Sequence, residues 1–287
     1  RQILPWGSAK GVQSADAGGC TENSGDVPMK VIVLSDVHAN IWALDAVLKQ
    51  EREYDLLCFA GDMIDYGTAP AEVIERFQSC SRAVLVKGNH DGNAVRVFHT
   101  EDFRHAPAGQ YKWVHHNLER MTGEQVAYID SLPESAVFQA DGWVYLVQHQ
   151  YRPGSYEVIE CRHVFEEHWR RHTPKEYWVA PRRRMVFGHT HRQCVHILGD
   201  GMEWLNPGSV SYHRLDDPDK DACYMVITDG SIKMRSLPYP REPLLKETFR
   251  QLKAGRMAEQ EMRYFFYYFG DAPDFDAPLP NHDSVSG

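Results

Sequence analysis

Residues 29–40 read MKVIVLSDVHAN, an apolar run that ends in Ser-Asp and sets a histidine two places beyond the aspartate. Residues 31–34 are apolar without interruption, the pattern of a strand covered on both faces. From Ile41 to Leu48 apolar residues return at helical spacing, and Asn40 stands where an N-cap would. The stretch reads as strand, tight loop, helix. In extended backbone the side chains at i and i+2 point the same way, so Asp36 and His38 can reach one ion. Alone, the pair is a weak signal, and a capping aspartate with a polar loop histidine is the favoured reading.

Working outward, strand-like runs recur at 56–60, 83–86, 143–147 and 185–187, between helical stretches at 71–77, at 111–120 and after Thr122, where Gln125 completes a capping box. This alternation predicts an α/β protein. Further strand candidates at 203–205, 224–228 and 232–237 are close enough together to pair antiparallel, so the sheet is expected to be mixed. Residues 242–252 and 257–269 turn helical, with Gly255 as the break, before a Pro- and Asp-rich tail from Asp271. The expected division is a flexible leader over 1–28 ahead of a start at Met29, a catalytic-type domain over 29–240, and a helical extension and tail over 241–287. The aromatic residues Tyr264, Phe265, Phe266, Tyr267, Tyr268 and Phe269 are expected to pack on the chain's own sheet; a homo-oligomeric contact stays open.

At 287 residues, with 43% hydrophobic and 25% charged residues, the chain can bury a substantial core and is not compositionally disordered. A formal charge of -9 argues against a protein that grips long nucleic acid. It leaves small substrates open, with Arg182, Arg183 and Arg184 as a local basic cluster. Six scattered cysteines include no CxxC pair, which suggests neither a disulfide framework nor a thiolate zinc site and fits a reducing cytoplasm. No apolar run approaches the roughly 20 residues that span a bilayer, so no membrane association is expected.

Four further segments carry metal-binding side chains. Gly61-Asp62 ends the second run, where glycine permits close backbone approach and Asp62 offers two oxygens that can bridge cations. Gly88-Asn89-His90-Asp91 ends the third, His149 follows the run 144–147, and Gly188-His189-Thr190-His191 follows 185–187. Each has a bland reading as a turn or a structural histidine. What they share is position: every one follows a predicted strand directly, and ligands of α/β sheets bind at the carboxyl ends of strands. Imidazole beside carboxylate suits zinc, manganese, iron or nickel.

These segments, in this order, resemble the calcineurin-like metallophosphoesterases of the bacterial small phosphodiesterase and phosphatase type. The resemblance rests on Asp36-x-His38, Gly61-Asp62-x-x-Asp65, Gly88-Asn89-His90-Asp91, His149 and Gly188-His189-x-His191, and covers roughly residues 29–237. It implies a four-layer α/β/β/α sandwich with mixed sheets and two divalent metal ions. Asp36, His38, Asp62 and His191 would hold one ion, Asp62, Asn89, His149 and His189 the other, with Asp62 shared. Two departures stand out: His149 lies between Gln148 and Gln150 where relatives often place a small residue next, and Ala39 stands where glycine is common. Asp65 and Asn40 are read as loop supports.

The activity implied is hydrolysis of phosphoester bonds by a metal-bridging hydroxide, with His90 as the acid for the leaving oxygen, held by Asp91 or another carboxylate. The expected substrate is a small phosphodiester, nucleotide or dinucleoside polyphosphate. A phosphomonoesterase, a protein phosphatase and a non-catalytic scaffold of the same fold are the alternatives. Between His149 and His189 stand Tyr151, Arg152, Tyr156, Arg162, His163, Trp169, Arg170, Arg171 and Tyr177, which read either as a cover able to stack a base or as an amphipathic surface helix.

Overall fold

The computed structural model describes Met29–Gly270 except Glu101, Ala108 and Leu215, so the expected leader and the tail from Asp271 lie outside the described residues. In chain order the elements are β1 (Lys30–Leu34), α1 (Ile41–Gln50), β2 (Leu56–Phe59), α2 (Pro70–Gln78), β3 (Ala83–Leu85), α3 (Asn89–Thr100), α4 (Trp113–Leu118), α5 (Gly123–Ser131), β4 (Ser135–Ala140) and β5 (Trp143–Gln148). There follow α6 (Arg162–His172), β6 (Arg183–Val186), β7 (Cys194–Gly199), β8 (Met202–Asn206), β9 (Ala222–Thr228), β10 (Ser231–Leu237), α7 (Glu242–Ala254) and α8 (Glu259–Tyr268).

The strands form two five-stranded sheets, ordered β10-β9-β1-β2-β3 and β4-β5-β6-β8-β7. Both are mixed: β1, β2 and β3 run parallel while β9 is antiparallel to β1, and β5, β6 and β8 run parallel between antiparallel β4 and β7. The hairpin expected between 224–228 and 232–237 forms as β9 and β10. The strand at 203–205 does not join it; as β8 it lies in the other sheet, against β6 and β7.

The period-2 alternation of strands sorts side chains into layers. On β1, Ile32 and Leu34 face α1, α2, α3 and α5, packing against residues such as Leu44, Val47, Ile74, Phe77, Val97 and Ile129. Val31 and Val33 face the other way and meet Tyr145, Val147, Val186 and Leu205 of the second sheet. The outer face of that sheet, including Val144, Leu146, Met185 and Trp204, is covered by Phe165 and Trp169 of α6. The result is the four-layer α/β/β/α arrangement. With both faces covered, β1 and β2 have no reason to alternate polar and apolar residues, and they do not.

Asn40 caps α1 by accepting from the Ala43 N–H at 3.2 Å, and Thr122 with Gln125 makes the capping box of α5. Gly255, at φ 66°, separates α7 from α8. Arg183 and Arg184 are buried. Arg184 bonds to Glu203 at 2.8 Å, the Tyr145 hydroxyl at 2.8 Å and the Gly230 carbonyl at 2.7 Å, so it ties strands together and is spent as a source of positive field. The five described cysteines are free. Among the described residues no helix is long and apolar enough to cross a membrane.

Candidate metal centre

Strands β1 and β2 of one sheet and β5 and β6 of the other end at the same edge of the sandwich, and there the predicted side chains converge. Asp36, His38 and His191 place one ligand atom each within 4.8 Å of one another, and Asp62, His149 and His189 do the same. All six are buried except His191, which is partly so. The loops are laced together by backbone: the N–H groups of Asp36, His38 and Ala39 donate to the carbonyls of Gly61, Asp62 and Met63 at 3.0, 3.1 and 2.9 Å. Gly88 is required by the crowding, because a Cβ there would stand 2.0 Å from Asp62 Oδ1.

Each carboxylate divides its oxygens between the protein and the cleft. Asp36 Oδ2 accepts from Ser35 Oγ at 2.5 Å and from the His189 N–H at 3.3 Å, while Oδ1 has no hydrogen-bond partner and lies 3.2 Å from His191 Nε2. Asp62 Oδ1 accepts from the His90 N–H at 2.9 Å. Its Oδ2 is left 3.0 Å from His149 Nε2 and 3.9 Å from His38 Nε2, so one oxygen faces both clusters. His149 Nδ1 lies 2.8 Å from the Ala60 carbonyl, which can only accept; the proton is on Nδ1, and Nε2 turns a lone pair toward Asp62.

Buried lone pairs facing each other at this distance are costly unless a proton or a cation lies between them. With a proton as the only mediator, burial lowers the His149 pKa but the Asp62 carboxylate outweighs it and raises the group to about 9. Burial wins at His38, lowered to about 4, and at His189, lowered to about 3. Those two imidazoles are held neutral, the form that ligates metal. The donor set, six nitrogen and carboxylate oxygen ligands with Asp36 Oδ1, Asp62 Oδ2 and the Nε2 atoms of His38, His149 and His189 all unpartnered, fits divalent cations of the zinc, manganese, iron and nickel type.

A family model, the calcineurin-like phosphoesterase superfamily domain, matches residues 29–230. The chain belongs to that superfamily. It is 29% identical over 250 residues to the uncharacterized protein MJ0912 of Methanocaldococcus jannaschii, across 81% of this chain and 96% of that one. A crystal structure of a metallophosphoesterase from Sphaerobacter thermophilus is similar in fold, with TM-score 0.63 and 21% identity, covering 83% of this chain and 98% of that one. So is that of hypothetical protein PH1004 from Pyrococcus horikoshii OT3, with TM-score 0.64, 16% identity and coverage of 84% and 98%.

Within this phosphoesterase fold, two expected residues land differently from the rest. Asn89 is the first residue of α3 and is exposed. Asp91, expected as a carboxylate that could hold His90, is turned to the backbone. It accepts from the N–H groups of Asp62, Met63, Ile64 and Gly88 at 3.0, 2.9, 3.1 and 2.9 Å and so fixes the Asp62 loop. Burial, then the Asp62 charge, raises its pKa to about 6. The carboxylate on His90 is Asp65, whose Oδ2 accepts from Nδ1 at 2.8 Å. Burial lowers the His90 pKa, but Asp62 and Asp65 together raise it to about 9.

Sequence reading missed the loop after β8. Asn206 Nδ2 donates to the Gly188 carbonyl at 2.7 Å and to Thr190 Oγ1 at 2.9 Å, bracing the His189 loop. Ser209 and Ser211 hydroxyls donate to the Asp36 and Val37 carbonyls at 3.0 and 2.7 Å. The run Asn206-Pro207-Gly208-Ser209 following a strand was the available signal. Also missed was an aromatic layer: Tyr66 lies 5.6 Å and Tyr212 5.2 Å from the His38 ring, centroid to centroid.

Proposed function

We propose that the chain is a phosphoester hydrolase with a dinuclear centre, acting on small phosphodiesters or nucleotides. The observation that carries this reading is Asp62 Oδ2, a buried oxygen without a hydrogen-bond partner that faces His149 on one side and His38 on the other. Asp36, His38 and His191 with Asp62 would hold one divalent ion; Asp62, His149 and His189, joined by the amide of Asn89, would hold the second. Two such ions supply Lewis-acid polarisation of a phosphoryl oxygen and activation of the attacking water.

The remaining work falls to side chains of the protein. Asp65 orients His90 by accepting its Nδ1–H, which leaves Nε2–H to protonate the departing oxygen. Asp91 keeps the Asp62 carboxylate in place through four amides, and Asn206 does the same for the His189 loop. Ser35 spends one Asp36 oxygen in a hydrogen bond and so aims the other at the cation.

The test is metal content after purification, followed by assays of aryl phosphate monoesters and diesters, nucleotides, cyclic nucleotides and dinucleoside polyphosphates with Mn, Fe, Ni, Zn and Mg. Up to two bound ions per chain and metal-dependent release of phosphate or alcohol are expected. A chain that retains no ion stoichiometrically and turns over nothing in the panel is a binding scaffold instead.

A further inference from the structure

We propose that Asn117 is a positioning residue for the leaving-group acid: it fixes the loop that carries Asp65 and so sets the aim of His90. The inference rests on the phosphoesterase reading above and adds to it the group that orients its acid. Asn117 lies on α4, fully buried, and belongs to neither cluster. Its amide spans one loop: Oδ1 accepts the Asp65 N–H at 3.0 Å and Nδ2 donates to the Gly67 carbonyl at 2.8 Å. Nδ2 also donates to the Trp113 carbonyl, one turn back in α4, at 3.1 Å. Only Asn and Gln combine a carbonyl acceptor with two amide donors on one planar group.

The loop requires such a clamp. Asp65 and Tyr66 are both left-handed, at φ 80° and 63°, a conformation that residues with a Cβ keep only where the surroundings impose it. On its other side the loop lies against the first one: the Gly67 N–H donates to the His38 carbonyl at 3.0 Å, and a Cβ on Gly67 would stand 2.1 Å from that oxygen. Held between the two, Asp65 turns Oδ2 to His90 Nδ1 at 2.8 Å and Oδ1 to the Tyr66 N–H at 2.8 Å. A shift of the backbone at Asp65 therefore passes directly to the imidazole.

Asn117 is in turn anchored by the helical extension. Trp113 Nε1 donates to the Glu261 carbonyl at 3.1 Å, and the Trp113 ring lies 5.0 Å from that of Phe265 on α8. The aim of the acid thus depends on a helix beyond the residues matched by the family model. The side-chain bonds of Asn117 reach no candidate ligand, whereas those of Asp91 and Asn206 hold the Asp62 and His189 loops. Loss of Asn117 should therefore separate the acid from the metals.

Two measurements on the zinc-loaded full chain test this. With 15N-labelled histidine, the Nδ1–H of His90 held by Asp65 should give a proton resonance, assigned by its absence in His90→Ala. Asn117→Ala should weaken or abolish it at unchanged zinc content. In the same variant kcat/KM for thymidine 5′-(methyl phosphate), whose departing oxygens are alkoxides, should fall about 10- to 100-fold. For thymidine 5′-(4-nitrophenyl phosphate), whose phenolate needs little protonation, the loss should be several-fold smaller. Asn117→Ala added to His90→Ala should cost nothing further. Asn117→Asp, of the same shape but without the donors, should follow Asn117→Ala and replaces it if that variant does not fold. Equal losses for the two esters, an additive loss in the His90→Ala background, or loss of zinc each overturn the proposal, since Asn117 would then brace the site as a whole. A His90 resonance that depends on Asn117 in a zinc-bound chain that turns over neither ester sustains the clamp and sinks the phosphoesterase reading.

Discussion

At the carboxyl ends of the strands Asp36, His38, Ala39, Asp62, Asp65, Tyr66, His189 and His191 all carry positive φ, between 46° and 80°. At the opposite edge three more non-glycine residues do so, Asp141, Asp200 and Asp229, at 49°, 50° and 50°. Each of these three is followed by a glycine, and each pair is the whole two-residue link of a hairpin: β4 to β5, β7 to β8 and β9 to β10. There the left-handed conformation is the cheap solution, since a turn with both central residues at positive φ matches strand twist and aspartate tolerates it.

At the metal edge the same conformation is expensive. A left-handed residue with a Cβ costs about 1 kcal/mol or more, so eight approach the net stability of a whole domain, about 5 to 15 kcal/mol. Such strain persists only where the surroundings over-determine it. Here the four amide bonds to Asp91, the carbonyl bonds between the first two loops and the Asn206 clasp supply that constraint. One edge is shaped by local preference, the other by the convergence of the candidate ligands.

The comparison breaks most visibly at the shared carboxylate. Asp62→Asn removes the charge that faces both clusters and should weaken metal binding by more than about 100-fold, the upper range for losing an outer-shell partner. Asp65→Asn, whose carboxylate bonds to His90 and the Tyr66 N–H and faces neither cluster, should leave metal content at the level of the unmodified chain. Equal metal loss in both variants, measured by elemental analysis after dialysis, would remove Asp62 from the bridging position.

Next in size is His90. Its replacement by alanine should cost about 10²- to 10⁴-fold in kcat/KM for an alkyl or nucleoside ester and less for an aryl ester, whose leaving group needs little protonation. Metal content should hold. Losses of one size for both esters would make His90 a group that positions phosphate.

The hairpin edge should answer the other way, in stability and not in chemistry. In Gly201→Ala a Cβ at φ 68° would stand 1.9 Å from the Pro181 carbonyl oxygen. A loss of about 1 to 3 kcal/mol is expected for strain of this kind, with metal content and activity per folded molecule unchanged. Activity that falls further than the folded fraction would tie the two edges together.

The contrast also explains what could be read from sequence. Motifs such as Gly88-Asn89-His90-Asp91 were legible because ligand chemistry admits few residue types and because each follows an apolar run. Strands β4 and β7 escaped that reading: SAVFQA and CVHILG are half-exposed and carry no sustained apolar run, and their marks were the Asp141-Gly142 and Asp200-Gly201 pairs that follow them. The assignment of β8 to the second sheet was not local information either, since its parallel partner β6 lies across the His189 loop in sequence. Asp65 and Asp91 sit among several acidic neighbours of His90, and only folding decides that one takes the imidazole and the other the amides. Similarly, Phe269 is distant in sequence from His38, whose ring it meets edge-on at 6.4 Å.

Ala39 offers the smallest and most discriminating test. It carries a Cβ at φ 52°, fully buried, at a position in the first loop whose N–H is already fixed to the Met63 carbonyl. If the metal-edge conformation is imposed by the surrounding network, Ala39→Gly should relieve about 1 kcal/mol of native-state strain. It should also add up to about 1 kcal/mol of unfolded-state entropy, so the two nearly cancel. The expected outcome is a melting temperature within a few degrees of the unmodified chain and no change in metal content. Asp200→Gly, where local preference already favours the turn, has less strain to relieve and should be the less favourable of the two glycine substitutions. If Ala39→Gly is the more destabilising, the buried methyl group contributes packing that outweighs the strain, and the cost assigned to the left-handed residues of this edge is too high.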